Sequence, residues 1–236
     1  MRYRRFGFRY RETITTVLAE SENIFKKAVS GMMYARSRIE EYISKNPFFL
    51  ISYEPLDCFG DVIERMCTAS KIAGVGPMAA VAGTVAWYGV EFADSEFIAI
   101  DNGGDVVIKV PGNIDVGIYS GSEIAVGIEI ESNGAVKGVC TSSGRYGHSV
   151  SFGSADAVTV ISKNPSVADA LATAIANMVK EGFARKELED LAEDSWNAYR
   201  KWIEGLVLIK DGIIVFVGNI PKVSPVKIPP DLITRA

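Results

Sequence analysis

Six short apolar stretches between residues 97 and 162 restrict the fold more than any other feature of the sequence. They read FIAID, VVIKV, VGIYS, IAVGIEI, GAVKGVC and ADAVTVIS, and turn residues such as Gly, Asn and Ser separate them. Short apolar runs with turns between them are typical of consecutive antiparallel strands. The sequence therefore predicts a mostly antiparallel sheet in the middle of the chain.

Helical patterns surround these strands. Apolar residues spaced three and four apart predict a long helix over 20–45 and a second helix over 62–73, and Gly76-Pro77 opens a third. Two more helices are predicted, over 166–182 and 186–203.

Two hairpins are predicted at the ends of the chain, one pairing 3–10 with 13–19 and one turning at Asp211-Gly212. We therefore predict an α+β protein whose antiparallel sheet is backed by long helices. We expect one domain over residues 1–236, in which the strands and helices of 1–95 pack on the strand-rich part 96–236.

Composition excludes several partners. The chain has 236 residues, is 48% hydrophobic and carries a net charge of −4, which argues against nucleic-acid binding although the first eleven residues contain five arginines. Residues 72–90 are uncharged but only weakly hydrophobic, so a buried helix is a better interpretation than a membrane span.

The three cysteines are odd in number and lack metal-ligand spacing, so we expect Cys58, Cys67 and Cys140 to be reduced core residues. The N-terminus also lacks the apolar stretch of a signal peptide. These features predict a cytoplasmic protein without a membrane partner.

The segment GVGPMA, residues 74–79, matches the dinucleotide fingerprint G-x-G-x-x-A. A Rossmann fold needs a strand before this fingerprint, whereas residues 62–73 have helical periodicity, so we expect no Rossmann domain. A helix that starts at Pro77 would instead offer free N–H groups near Gly76 to a phosphate, or its small residues would simply allow close helix packing.

The segment NGGD, comprising Asn102, Gly103, Gly104 and Asp105, is adequately explained as a hairpin turn. Its glycines would also let a ligand approach the backbone closely, and Asp105 could accept a hydrogen bond or contact a metal ion.

Asp169 and Thr173 lie four residues apart on one face of a predicted helix. One interpretation is structural, with Ser166 as the N-cap and Asp169 in the first turn. The other is a hard-cation site, because a carboxylate and a hydroxyl one turn apart supply two of the oxygen ligands that Mg²⁺ prefers.

The only histidine, His148, lies in a loop of small hydrogen-bonding residues. A lone histidine is often structural, but these hydroxyls and glycines are unusual core material, so we favour a site in which His148 acts as a general acid or base. The loop residues expected to bind a ligand are Thr141, Ser142, Ser143 and Gly144.

In this order, the segments NGGD, TSSGRYGHS, ADAVTV and ADALATAIAN resemble the ApbE superfamily, the FAD:protein FMN transferases. The sequence is most similar to a branch that also carries GVGPMAAVAG, and the resemblance covers roughly residues 50–180.

The resemblance implies a fold related to the T-fold, with an antiparallel sheet backed by helices. It also implies that Asp169 and Thr173 hold Mg²⁺, that glycine-rich segments surround FAD, and that FMN is transferred to a threonine of a protein. His148 would then move the proton, beside the phosphates or the reacting hydroxyl.

The sequence departs from these transferases after His148, where SVSFGSADAV replaces the usual Pro and Thr-Gly pair, and it lacks their N-terminal MGT segment. Two functions therefore stay open. The first is Mg-dependent binding or transfer of a flavin nucleotide, FAD or FMN, or a related phosphorylated ligand. The second is a non-catalytic accessory protein, in a branch associated with sulfur-amino-acid metabolism in anaerobes.

The strands predicted at both ends of the chain would also suit pairing of sheet edges in a homodimer.

Overall fold

The computed structural model describes residues 3–121, 124–145, 153–220 and 222–227. His148 lies outside the described residues. Eleven strands are found in them: β1 (Arg4–Tyr10), β2 (Thr13–Ala19), β3 (Ile98–Asn102), β4 (Asp105–Lys109), β5 (Asn113–Ile118), β6 (Ile124–Glu131), β7 (Lys137–Ser142), β8 (Ala157–Ser162), β9 (Gly205–Lys210), β10 (Ile213–Gly218) and β11 (Val223–Lys227).

Eight strands form one antiparallel sheet in the order β1-β2-β3-β4-β7-β8-β9-β10. Both predicted terminal hairpins are confirmed, and they form the two edges of this sheet. At its centre β4 pairs with β7, so that Asp105 lies opposite Cys140.

The remaining strands form a second sheet in the order β11-β6-β5. The sequence predicts β5 and β6 but not their departure from the main sheet, and it does not predict β11, which contains Pro225. Because a proline in a strand lacks the N–H of the ladder, β11 occupies an edge, where it pairs only with β6.

Six α-helices occur in the described part of the chain: α1 (Glu22–Lys45), α2 (Phe48–Ile51), α3 (Asp61–Ala73), α4 (Val81–Ala93), α5 (Pro165–Met178) and α6 (Arg185–Tyr199). A short 3-10 turn, Pro77–Ala80, precedes α4. The helix α3 runs directly into Gly74, so the prediction that a helix precedes GVGPMA is confirmed.

Two apolar clusters hold these layers together. The larger one includes Met32 of α1, Met66 of α3 and Leu171 of α5. The smaller one includes Ile128 of β6 and Val139 of β7, because successive side chains on a strand point to opposite faces of the sheet. The α+β class and the helix-backed antiparallel sheet are therefore confirmed.

No single helix among the described residues is long and apolar enough to cross a membrane. The pair formed by residues 61–73 and 77–93 passes that test only together and is bent by 106°.

The expectation that all three cysteines are reduced is wrong for two of them. Cys58 and Cys67 form a disulfide, with their Cα atoms 6.1 Å apart, and Cys140 is a buried free thiol. An odd number of cysteines does not exclude one pair with one left over. The loop before α3 brings Cys58 within the range of Cα separations that a disulfide spans.

Candidate functional site

Asp169 lies on α5 with its carboxylate turned towards the start of α4. It is 7% exposed, and its Oδ2 accepts a hydrogen bond of 2.8 Å from the backbone N–H of Gly83. The N–H of Ala82 also donates to this carboxylate. These two N–H groups belong to the first turn of α4, where no helical partner exists for them. Asp169 therefore caps a neighbouring helix.

The helix α5 itself begins differently from the structural interpretation of the sequence. Its N-cap is Asn164, whose side chain accepts from Val167 N at 3.1 Å, and Pro165 follows at the first helical position. The prediction that Ser166 caps this helix is wrong, because its hydroxyl instead lies 2.7 Å from the hydroxyl of Thr84 on α4. Asp169 and Thr173 stay on adjacent turns and are both buried.

Asp105 enters the same region from the sheet. It begins β4, it is 9% exposed, and its Oδ1 has no hydrogen-bond partner. Burial raises the pKa of this carboxyl well above its ordinary range, and the charge of Asp169 raises the pKa further. Burial also raises the pKa of Asp169 to about 7, although the N–H groups of Gly83 and Ala82 act to lower it.

The strand β7 adds a thiol and a hydroxyl to the same face. Cys140 pairs with Asp105 across the ladder, and Ser142 follows two residues later on the same side of the strand. The Ser142 hydroxyl is buried and has no hydrogen-bond partner. Burial, and then the charges of Asp105 and Asp169, raise the pKa of the Cys140 thiol, which favours the thiol over the nucleophilic thiolate.

The NGGD turn is a tight hairpin that presents Asp105. Gly103 and Gly104 have φ of 71° and 103°, values that a two-residue turn of this kind requires and that glycine adopts readily. Asn102 is buried, and its Nδ2 donates to the carbonyl oxygen of Ala82 at 3.1 Å. The turn is thereby joined to the same first turn of α4 that Asp169 caps.

Three of the predicted loop residues, unlike Ser142, do not place a side chain on the face of the sheet that carries Asp105. The side chain of Thr141 points to the other face of the sheet, with its hydroxyl 2.8 Å from that of Thr159, while its backbone hydrogen bonds to Asp105. Ser143 donates to Ala155 O at 3.5 Å, and the N–H of Gly144 donates to the same oxygen at 3.0 Å. These two residues therefore close the base of the segment that contains His148.

Close packing explains why position 76 is a glycine. A Cβ built on it would lie 1.8 Å from the backbone oxygen of Ser52. Its role as a ligand contact stays a prediction. Gly83, which the sequence marks only as a small packing residue, lies at the site: a Cβ there would come within 2.9 Å of the Cβ of Asp169.

The sequence also does not predict a polar cluster next to the start of β8, around Asp156. Arg145 donates to Asp156 at 3.0 Å and to Asp211 at 2.6 Å, and Asp211 also pairs with the buried Lys210. Since these residues are distant in sequence and lack a motif, only the pairing of β8 with β9 brings them together.

The helices α4 and α5 and the strands β4 and β7 together surround two carboxylates and two hydroxyls. These belong to Asp105, Asp169, Ser142 and Thr173. In the described residues no group of three or more His, Cys, Asp or Glu side chains could hold a metal ion. A cation at this site would therefore need Asp105 and Asp169 together with hydroxyl or carbonyl oxygens, a ligand set that hard cations such as Mg²⁺ accept. The unpaired oxygens of Asp105 and Ser142 fit such a cation.

The fold is similar to that of several solved structures. The apo form of the flavinyl transferase ApbE from Pseudomonas stutzeri matches with a TM-score of 0.58 and 14% identity, over 92% of this chain and 94% of that one. The ApbE protein from Thermotoga maritima matches with a TM-score of 0.55 and 14% identity, over 91% and 96%. The architecture is thus ApbE-like.

A family model described as AbpE bacteria matches residues 1–201, and the chain belongs to that family. A UPF0280 protein from Archaeoglobus fulgidus is 48% identical, over 98% of this chain and 99% of its own length. A UPF0280 protein from Methanocaldococcus jannaschii is 36% identical, over 90% and 89%. The resemblance to an ApbE-like branch is therefore confirmed.

Proposed function

We propose that this protein binds a divalent cation, with Mg²⁺ as the physiological ion, between Asp105, Asp169 and Thr173. The observation that carries the proposal is the buried pair of carboxylates, in which the charge of Asp169 raises the pKa of Asp105 and one oxygen of Asp105 has no hydrogen-bond partner. Two buried anions without a cation are costly, so the pair must hold either a proton or a metal ion.

Each residue of the proposed cation site would have its own role in binding. Asp105 and Asp169 supply charge from the sheet and from α5, and Thr173 adds a hydroxyl one turn along. Gly83 and Ala82 fix the Asp169 carboxylate, because their N–H groups donate hydrogen bonds to it. When bound, the metal ion would neutralise charge on phosphate oxygens.

We further propose that the ligand is a flavin nucleotide, FAD or FMN, or a related phosphorylated molecule. The support comes from the ApbE-like architecture and from the flavinyl transferase named among the similar structures. The turn at Gly103 and Gly104 leaves open space for a ligand to approach the backbone at Gly103. In its most specific form, the proposal is that the protein transfers FMN and that His148 moves the proton.

Calorimetry with Mg²⁺ alone tests the cation site. We expect binding by the wild type at pH 8, with affinity reduced at least about tenfold in Asp105→Asn and in Asp169→Asn. Asp115→Asn is the matched control, because it removes an exposed carboxylate on β5 of the other sheet. Equal affinities in all four proteins would refute the cation site.

A second candidate is a non-catalytic binding protein, which the departures from the transferase pattern after His148 favour. Flavin fluorescence separates the two. Mg-dependent quenching of FAD fluorescence that is lost in Asp169→Asn, with AMP formed over time, supports transfer or hydrolysis. The same quenching without any product supports binding alone, and no quenching argues against a flavin ligand.

A further inference from the structure

Five large apolar side chains lie exposed along one short segment, residues 48–59. We call them the α2 face: Phe48 (62% exposed), Leu50 (50%), Ile51 (65%), Tyr53 (63%) and Phe59 (84%). Single exposed apolar residues are ordinary on a protein surface, but a contiguous group of large ones marks an interaction site.

Tyr42 at the end of α1 joins the two parts of the α2 face. Its ring packs on Phe49 with the ring centroids 5.0 Å apart, and Phe49 is only 1% exposed. Because Phe49 takes the inward side of the one-turn helix α2, Phe48, Leu50 and Ile51 are left on its outer sides. Tyr42 also lines a shallow crevice together with Phe59. The exposed residues thus surround the C-terminal end of α1.

The segment is fixed at both ends. Near Tyr53, the backbone of Ser52 packs so closely on Gly76 that no Cβ would fit between them. Next to Phe59, Cys58 is held to α3 by its disulfide with Cys67. A surface that is already rigid loses little conformational entropy on binding, so its apolar area converts more fully into affinity.

The exposed apolar area approaches the area that each partner buries in a standard dimer interface. With about 200 Å² for a fully exposed aromatic side chain, the α2 face presents on the order of 600 Å². This value is at the upper end of the largest apolar patches on monomers, about 300–600 Å². A standard interface buries about 800 Å² per partner, and the polar residues around the α2 face would supply the difference.

The charges around the α2 face are mixed. The bordering side chains comprise three basic and four acidic residues: Arg38, Lys45, Lys71, Glu41, Glu54, Asp57 and Asp61. Ion pairs already join Lys45 to Glu41 at 2.7 Å and Lys71 to Asp57 at 2.5 Å. An anionic membrane surface attracts an excess of basic residues, which this border lacks. Charges of both signs suit a two-fold interface, in which the same surface meets itself.

We propose that the α2 face is the surface through which two copies of this chain associate as a two-fold dimer. Phe59 and Ile51, the two most exposed members, are its central contacts. This interface differs from the pairing of sheet edges that the predicted terminal strands would also suit, because β1 and β10 take no part in it.

Sedimentation equilibrium over a range of protein concentrations tests the proposal with the whole chain. We expect the wild type to dimerise, and Ile51→Glu and Phe59→Glu each to raise the dimer dissociation constant at least about tenfold, as for central contacts elsewhere. The control is Phe216→Glu, which places the same charge at an exposed position of β10, at the edge of the main sheet. Circular dichroism and melting temperature verify that each variant is folded.

A dimer that weakens with changes in the α2 face and not with Phe216→Glu supports the proposal. A wild type that stays monomeric at all concentrations overturns it, as does a dimer that only Phe216→Glu disrupts, since that result assigns the contact to the sheet edge. Co-sedimentation of monomeric protein with vesicles of phosphatidylcholine and phosphatidylglycerol also overturns it, because the α2 face would then contact lipid.

Discussion

Two regions reverse the ordinary distribution of side chains in opposite ways. One is the pair of buried carboxyls Asp105 and Asp169 near the start of α4, which we call the acid pair, and the other is the α2 face. Asp105 and Asp169 are carboxyls more than nine-tenths buried, whereas Phe59 is an aromatic residue 84% exposed. Each arrangement costs free energy in the isolated chain, the first through desolvation of charge and the second through exposure of apolar surface. In the two proposals, a bound cation offsets the first cost and a second copy of the chain offsets the second.

The two regions differ in how many elements enforce them. The acid pair is held by α4, α5, β4 and β7 together, so that a change in any one of them disturbs the site. The α2 face belongs to one segment and depends mainly on its anchors at Ser52 and Cys58. Changes at the acid pair should therefore affect folding and binding together, and changes on the α2 face should affect association alone.

The largest expected effect is a pH dependence of stability caused by the acid pair. The folded-state pKa of Asp169 is raised to about 7 and that of Asp105 is raised as well, so between about pH 4 and pH 7 the folded state holds more protons than the unfolded state. The contribution of the pair to stability therefore falls as pH rises through this window, by on the order of 4 kcal/mol.

Urea unfolding of the metal-free protein between pH 4 and pH 8 measures this contribution. It equals the difference in the free energy of unfolding between the wild type and the double variant Asp105→Asn/Asp169→Asn at each pH. The difference cancels surface carboxyls such as Asp57 and Asp211, whose pKa values are lowered by Lys71 and by Lys210, respectively. Added Mg²⁺ should stabilise the wild type at pH 8 and leave the double variant unchanged. Parallel pH profiles for the two proteins would contradict the assignment.

The next effect concerns the disulfide that anchors the segment of the α2 face to α3. Reduction of the Cys58–Cys67 disulfide should lower the free energy of unfolding by about 2–3 kcal/mol, because it frees a short loop in the unfolded chain. The measurement is urea unfolding with and without a phosphine reductant. Cys58→Ser/Cys67→Ser serves as the control, since the reductant should not affect its unfolding. Thiol titration of the denatured, unreduced protein should detect Cys140 alone.

The same comparison indicates which features a sequence reveals. Periodicity predicts the strands and long helices because each is a local pattern of burial, and motif spacing marks Asp105, Asp169 and Thr173. The N–H groups of Ala82 and Gly83 carry no side-chain signal, so only the packing of α4 on α5 identifies them. The sequence does not reveal the α2 face, because Pro47 predicts the end of α1 and the apolar run after it has no periodicity. The disulfide and the separation of β5 and β6 depend on contacts between segments.

A smaller effect is expected at Gly83, where α4 meets Asp169. A Cβ at this position would lie 2.7 Å from the backbone oxygen of Pro165 and 2.9 Å from the Cβ of Asp169, so the two helices must separate. Gly83→Ala should cost about 2 kcal/mol despite the better helix propensity of alanine. It should also weaken Mg²⁺ binding. Gly182→Ala is the control, because a Cβ at Gly182 meets no atom within 4 Å. Equal stability of the two variants would show that α4 and α5 are not in close contact at Gly83.

The smallest expected effect on folding is at Phe59, and it separates the two regions most clearly. With 84% of the residue exposed, Phe59→Ser removes almost no buried surface, so the free energy of unfolding of the monomer should change by less than about 0.5 kcal/mol. Urea unfolding at a protein concentration well below the dimer dissociation constant isolates this monomer value. At higher concentration the wild type should gain stability through association and Phe59→Ser should not, because a partner that binds only the folded state stabilises it by mass action. A large loss of stability at low concentration would mean that Phe59 supports the fold itself, and the contrast between an acid pair that governs folding and an apolar face that governs association would fail.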